Sequence, residues 1–240
     1  MTDVLRITCF KWYDPGYRWN KLYTHDATHV NRLRNMVDRH TTIPHEFCCI
    51  TDDAEGIDQD IRIIPLWDDH KDMGGCYRRI KMYSAEMIDI IGPRFINFDI
   101  DVVICGDLDP MLSRTEPFIA WKDVAYQRQA FNGSMIMMDA GSQSQVWDTF
   151  DPELASTLWS SGKAIGTDQA WAYHVLGRDV PLWDQSDGVY SFRRHIEPLV
   201  GDNGVAKLPS NATVIVFHGA HSPAMKRYYP MHPWIVEHWR

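Results

Sequence analysis

Apolar and polar positions along the chain fall into two periods. Residues 4–10 alternate and then run apolar, which predicts a first strand that ends at Lys11-Trp12-Tyr13-Asp14-Pro15-Gly16, where Pro and Gly make a turn. Over residues 28–40, Val30, Leu33, Met36 and Val37 recur at helical spacing, with Arg32, Arg34, Asn35 and Asp38 opposite them. That is an amphipathic helix covering a sheet. Strands are predicted over residues 47–50, 61–66, 118–121, 134–138 and 213–217. Helices are predicted over 79–91, ended by Gly92-Pro93, over 144–150, from Thr167-Asp168-Gln169 onward, and near the end of the sequence. Strands and helices alternating at this length predict an α/β fold with a mostly parallel sheet, whose loops at the strand carboxyl ends share one face.

One apolar run departs from the pattern. Phe95-Ile96-Asn97-Phe98-Asp99-Ile100-Asp101-Val102-Val103-Ile104 reads as a buried strand, yet it holds two carboxylates. An unpaired buried carboxylate costs several kcal/mol, so something must neutralise Asp99 and Asp101. Residues two apart on an extended backbone project to one side, where both can present oxygens to a hard divalent cation. His218 closes the strand at 213–217 and precedes Gly219, so its imidazole is expected on the same carboxyl-end face. Two carboxylates and an imidazole suit Mn²⁺ or Mg²⁺; the plain alternative is a hydrogen-bonded structural histidine.

Arg79, Lys226 and Arg227 are candidate cations for a diphosphate, with solvated surface charge as the alternative. Asn132-Gly133, read as a loop before a strand, offers an amide and a close-approach backbone to a hydroxylated ligand; an ordinary turn explains it too. Asp168 and Gln169 either bind hydroxyls or start a helix. Trp12, Trp67 and Trp121, at strand ends, are candidates for stacking on a ring. No GxGxxG, GxxxxGK[ST], GxSxG or HExxH occurs, and no His or Cys pair has zinc spacing.

Composition narrows the picture without redirecting it. The 240 residues suit a single domain over 1–240. A formal charge of -8 argues against broad capture of nucleic acid or anionic membrane. Nothing approaches about 18 uninterrupted apolar residues, and the first residues lack a cationic segment leading into an apolar one, so a cytoplasmic protein without a transmembrane segment is expected. Cys9, Cys48, Cys49, Cys76 and Cys105 form no CxxC pair and fit reduced core thiols; a soft-metal role for Cys48-Cys49 is the alternative.

Taken in order, these motifs resemble glycosyltransferase family eight and its bacterial relatives: Lys11-Trp12, Thr51-Asp52-Asp53, Arg79-Ile80, Phe98-Asp99-Ile100-Asp101 with Gly106-Asp107-Leu108, Phe131-Asn132-Gly133, Asp168-Gln169 and Phe217-His218-Gly219. The resemblance implies a GT-A (Rossmann-like) mixed sheet flanked by helices, and a transferase that moves a sugar from a nucleotide diphosphate donor, commonly a UDP-sugar. The outcome it implies is retention of configuration, and the acceptor is unknown: a glycan, lipid-linked sugar, protein or small molecule. By the family pattern Asp99, Asp101 and His218 hold Mn²⁺ or Mg²⁺. Lys11, Asp52, Arg79, Asn132, Gly133, Gly219 and Lys226 bind the donor, and Asp168 and Gln169 stand at the catalytic position. Family members often carry Lys-Pro a few residues after the histidine, whereas this sequence has Ser222-Pro223; a phosphate contact is missing or has moved, with Lys226 as the replacement. Two other readings are a non-catalytic nucleotide-sugar-binding module and a haloacid-dehalogenase-like phosphatase using Asp99 and Asp101, in which Val102-Val103 stands where Gly-Thr is usual.

Overall fold

A computed structural model describes residues 4–13, 25–124, 129–161, 167–201, 204–219 and 221–240. Strand β1 (Leu5–Lys11) is followed by helix α1 (Ala27–His40), whose first turn is capped by the Asp26 carboxylate accepting the Thr28 amide. Strands β2 (His45–Thr51) and β3 (Arg62–Pro65) come next, then a 3-10 segment over Tyr77–Tyr83 and a single α turn, α2 (Met87–Ile90). The middle of the chain forms β4 (Arg94–Phe98), β5 (Val103–Ile104), α3 (Asp109–Leu112), β6 (Phe118–Lys122) and β7 (Phe131–Asp139). Helices α4 (Gln145–Asp148), α5 (Pro152–Ser160) and α6 (Asp168–Leu176) lead to β8 (Leu182–Trp183) and β9 (Val189–Ser191). A π-helical turn over Phe192–Ile196, β10 (Val214–Val216) and α7 (Trp234–His238) complete the described elements.

A seven-stranded sheet in the order β3-β2-β1-β4-β7-β6-β8 forms the centre. Strand β1 runs parallel to β2 and to β4, so Lys11, Thr51 and Phe98 end at the same edge, while β7 is antiparallel to β4 and β6. Alternation along the strands divides the core. Ile7, Cys9, Ile96 and Met137 face Val30, Leu33, Met36 and Val37 of α1. Phe10, Phe95, Ile136 and Met138 face Ile80, Tyr83, Met87 and Trp171. Each fully buried Leu, Ile, Met or Phe contributes about 1.5–3 kcal/mol, which is why α1 holds its place despite a polar outer face. A smaller sheet, β5-β10-β9, adds to the α1 side: β10 is antiparallel to β5 and parallel to β9.

Several expectations change. The helix predicted over 79–91 is broken in two, because Ser84 is extended (φ -65°, ψ 153°) and ends the first segment. The apolar run from Phe95 to Ile104 is not one strand: β4 stops at Phe98 and residues 99–102 turn, with the Val102 amide 3.3 Å from the Asp99 carbonyl. Asn132-Gly133 lies inside β7 rather than on a loop, beside a register shift between Ala120 and Trp121. Strands β8 and β9 are two and three residues long, too short to show a period. The turn expected at Asp14-Pro15-Gly16 lies outside the described residues. All five cysteines are free thiols. Among the described residues no helix is long and apolar enough to cross a membrane.

Candidate functional site

Arg79 is the hub of the site. It leaves the 3-10 segment with its side chain only 8% exposed, and its Nη1 lies 2.8 Å from Asp99 Oδ1 while its Nε lies 3.1 Å from Asp168 Oδ2. Its Nη2 donates to the Gly133 carbonyl. The two carboxylates raise the guanidinium pKa against the opposing effect of burial. Burial pushes the Asp168 carboxyl above its usual range, with the Arg79 guanidinium pulling against that shift. Asp168 therefore does more than open α6, and Thr167 does not cap it: the Thr167 hydroxyl accepts the Cys76 amide at 2.9 Å instead.

Gly133 and Gln169 close this side. The Gly133 amide donates to Gln169 Oε1 at 3.0 Å, and the Asn132 side-chain oxygen accepts the Ser134 amide at 2.9 Å. A Cβ on Gly133 would point among Arg79 Nη2 (3.4 Å), Gln169 Cβ (3.5 Å) and Asp168 Oδ2 (3.6 Å), so the bare backbone of β7 faces the cluster. Arg79, Asn132, Gly133, Asp168 and Gln169, far apart in sequence, are brought together.

Asp99 and Asp101 sit on the turn after β4. Asp99 is 29% exposed and held by Arg79. Asp101 is 14% exposed, and its nearest recorded ionic neighbour is His25 Nε2 at 3.9 Å. That imidazole is itself pushed down to about 4, chiefly by burial, and is neutral near pH 7. Burial, and then the neighbouring Asp99 charge, push the Asp101 carboxyl well above the usual carboxylate range. Among the described residues no Lys or Arg is ion-paired with Asp101, and two carboxylates two positions apart on one turn are a donor set that suits a hard divalent ion. The pair fits such an ion.

His218 stands differently from expectation. Among the described residues no group of three acidic, histidine or cysteine side chains forms a metal-holding cluster, so Asp99, Asp101 and His218 are not assembled as three ligands. The backbones nevertheless approach. Strand β10 pairs with β5 through Ile215 and Val103, a register that would put His218 opposite Ile100 if it continued; the turn at residues 99–102 ends it first. The imidazole is drawn to β9 instead, with Nε2 2.7 Å from Ser191 Oγ. Its ring also lies 5.9 Å from Trp121, whose strand neighbour across the sheet is Asn132. Burial first, then Arg193, His221, Arg194 and His195, push its pKa down to about 4.

The remaining candidates are placed as follows. Lys11 is buried and tied to Asp53, through the backbone carbonyl at 2.6 Å and the carboxylate at 2.9 Å. Asp52 lies 3.4 Å from Arg78. Gly219 has φ +70°, where a side chain would be strained, and Lys226 is exposed on a 3-10 turn. Trp12 and Trp67 pack edge-on against Phe10, and Trp121 is buried. His25, Ser191, Arg193 and Arg194 were not singled out from the sequence. They reach the site through tertiary contacts across strands, and no local spacing announces them.

No protein-family model and no curated protein matches the chain. Solved structures do. The galactosyltransferase LgtC, in complex with donor and acceptor sugar analogs, is 15% identical over 92% of this chain and 90% of that one, with a TM-score of 0.59. The glycosyltransferase GlyE of Streptococcus pneumoniae TIGR4, in its apo form, is 9% identical over 93% of this chain and 56% of that one, with a TM-score of 0.60. The bifunctional glycosyltransferase WbbM is 13% identical over 99% of this chain and 51% of that one, with a TM-score of 0.56. The chain thus spans little more than half of the latter two. At these identities the likeness is one of fold: a GT-A-like mixed sheet flanked by helices, as in glycosyltransferases.

Proposed function

We propose that the chain is a metal-dependent glycosyltransferase of the family-eight type, transferring a hexosyl group from a UDP-sugar to an acceptor hydroxyl with retention of configuration. One observation carries the reading. Asp101, at the carboxyl-end face of a GT-A-like sheet, is a buried carboxylate with no ion-paired Lys or Arg among the described residues, beside a second carboxylate that has one in Arg79.

In this reading Asp99 and Asp101 hold Mn²⁺ or Mg²⁺, which when bound stabilises the charge that develops on the leaving diphosphate. The anomeric C–O bond to the β-phosphate breaks, a C–O bond to the acceptor oxygen forms, and the proton of the acceptor hydroxyl goes to the departing diphosphate. Arg79 fixes the orientation of Asp99 and of Asp168 together. The Gly133 backbone and Gln169 form the wall on which sugar hydroxyls lie; an active-site glutamine is also named for LgtC, through its glutamate variant. Asp168 is engaged with Arg79, so its role is to position the guanidinium, and no nucleophile is assigned.

The test is thermal. UDP with Mn²⁺ should stabilise the wild-type protein, by about 2.7 kcal/mol at a hundredfold excess over Kd, and Asp101→Ala should lose the shift. Absence of a shift with every nucleotide diphosphate tried would overturn the reading.

A further inference from the structure

The His232 side chain is fully enclosed, at 0% exposure, and neither of its ring nitrogens has a hydrogen-bond partner among the described residues. Aromatic rings surround it instead. Phe192, from the π-helical turn, meets the imidazole edge-on at a centroid distance of 4.9 Å, while Trp234 of α7 lies at 6.0 Å and Tyr228 at 6.2 Å. The backbone is held as well: the His232 amide donates to the Tyr228 carbonyl at 2.8 Å, and the His232 carbonyl accepts the Ile235 amide at 3.0 Å. Few charges face this box. Glu197, just after the π-helical turn, is the charge that acts on the imidazole, and the exposed Arg193 and Arg194 stand on the turn itself. Tyr228 engages its hydroxyl with His221 Nδ1 at 2.6 Å and Arg227 Nη2 at 3.1 Å. On α7, Glu237 is exposed and His238 lies against His40.

The box belongs to a longer cover. Trp234, Ile235 and Trp239 share one apolar cluster with Val102, Val103 and Ile104, just after the turn that carries Asp99 and Asp101, and with Val216 and Phe217, just before His218. Farther on, the chain is held on α1: the Arg39 guanidinium donates to the His238 and Arg240 carbonyls at 2.6 and 2.7 Å, and Trp239 lies 4.1 Å from the Arg32 guanidinium and 5.3 Å from the His29 ring. Residues 228–240 thus back both sides of the site. Their packing suits a neutral His232 alone, since a second ring proton would make both nitrogens donors and put a charge where neither has an acceptor. We propose that residues 228–240 form an acid-released latch: they stay docked over β5 and β10 while His232 is neutral, and protonation of His232 undocks them. Burial agrees in sign, lowering the imidazole pKa from 6.5 more strongly than Glu197 raises it. Undocked, His232 titrates near 6.5 and takes up a proton that the docked segment disfavours, so acid favours release. The latch does not depend on which ligand the site takes.

Hydrogen exchange of the full chain, read by mass spectrometry at about pH 7.5 and about pH 5.5 with times scaled to the intrinsic amide rates, is the test. Amides of the docked segment should lose about tenfold in protection at the lower pH, the limit for one group that titrates near 6.5 when released. Amides of β2, in the main sheet, should keep theirs. His232→Phe, which fills the box with a ring that cannot titrate, should cut the loss to below about threefold, and His232→Met should do the same. Wild-type protection of the segment that is equal at both pH values would overturn the latch, whether or not the variants fold. A loss shared equally by β2 would also overturn it, since that is global acid unfolding. So would a loss that stays undiminished in both variants, which would place the titrating group elsewhere.

Discussion

The two sides of the site are built on opposite electrostatic terms. Around Arg79, three carboxylates and one guanidinium lie under the edge of the main sheet, and their ionic contacts are short and internal. Around His218, at the end of β10, stand imidazoles that burial keeps neutral and the exposed Arg193 and Arg194. The first arrangement is negative overall and leaves Asp101 in need of a cation; the second is positive and suits an anion. The ligand of the proposed function, a metal nucleotide diphosphate, carries both charges, so a chain of net negative charge would hold it across the two sides.

The difference predicts unequal sensitivity to mutation. Removing the buried hub is the largest change available. Arg79→Ala strips the counter-charge from Asp99 and Asp168 at once, and breaking a buried pair of this kind costs about 3–5 kcal/mol. Denaturant melts should show that loss, and Arg79→Lys should recover only part of it, because an ammonium cannot serve Asp99, Asp168 and the Gly133 carbonyl with one fork. A variant as stable as wild type would mean that the hub is not holding the carboxylates.

On the basic side the expected effect is smaller and depends on pH. His218 titrates near 6.5 when unfolded and at about 4 when folded, so below 6.5 the unfolded chain binds more protons than the folded one. Stability therefore falls as pH drops from 6.5 towards 4. Asp101, raised in the folded state, acts in the opposite sense over its own range. Comparing His218→Asn with wild type isolates the imidazole: at pH 4.5 the variant should have lost less stability relative to pH 7, by on the order of 1–2 kcal/mol. Equal losses would contradict the burial of His218.

Gly133 gives the smallest effect on stability. A methyl group there meets Arg79, Gln169 and Asp168 at 3.4–3.6 Å, which is ordinary contact or close to it. Gly133→Ala should melt within about 1 kcal/mol of wild type, while nucleotide-sugar affinity falls and UDP affinity does not. An equal loss for UDP would place the sugar elsewhere.

These contrasts also explain what the sequence made legible. Helix α1 carries a clear helical period because it buries one face, while β1, β2, β4 and β10 stand out as apolar runs because both their faces are buried. Asp99 and Asp101 stood out because a charge inside an apolar run violates the pattern. What the pattern concealed was which partner each group takes. Arg79 reads as a phosphate contact in sequence, yet it is occupied by Asp99 and Asp168, the second 89 positions away (168 − 79). His218 reads as a third metal ligand, yet its Nε2 meets Ser191 on a strand too short to predict. Pairings of this kind are set by the sheet order, which no local spacing encodes.

The central claim is that one side takes the cation and the other the diphosphate, so that each completes the other. Calorimetric titration of Mn²⁺ with and without saturating UDP measures that coupling directly. The account predicts that UDP tightens Mn²⁺ binding at least fivefold, that Mn²⁺ tightens UDP by the same factor, and that Asp101→Asn abolishes both effects. Mn²⁺ and UDP binding independently of each other, or coupling that survives in Asp101→Asn, would contradict it.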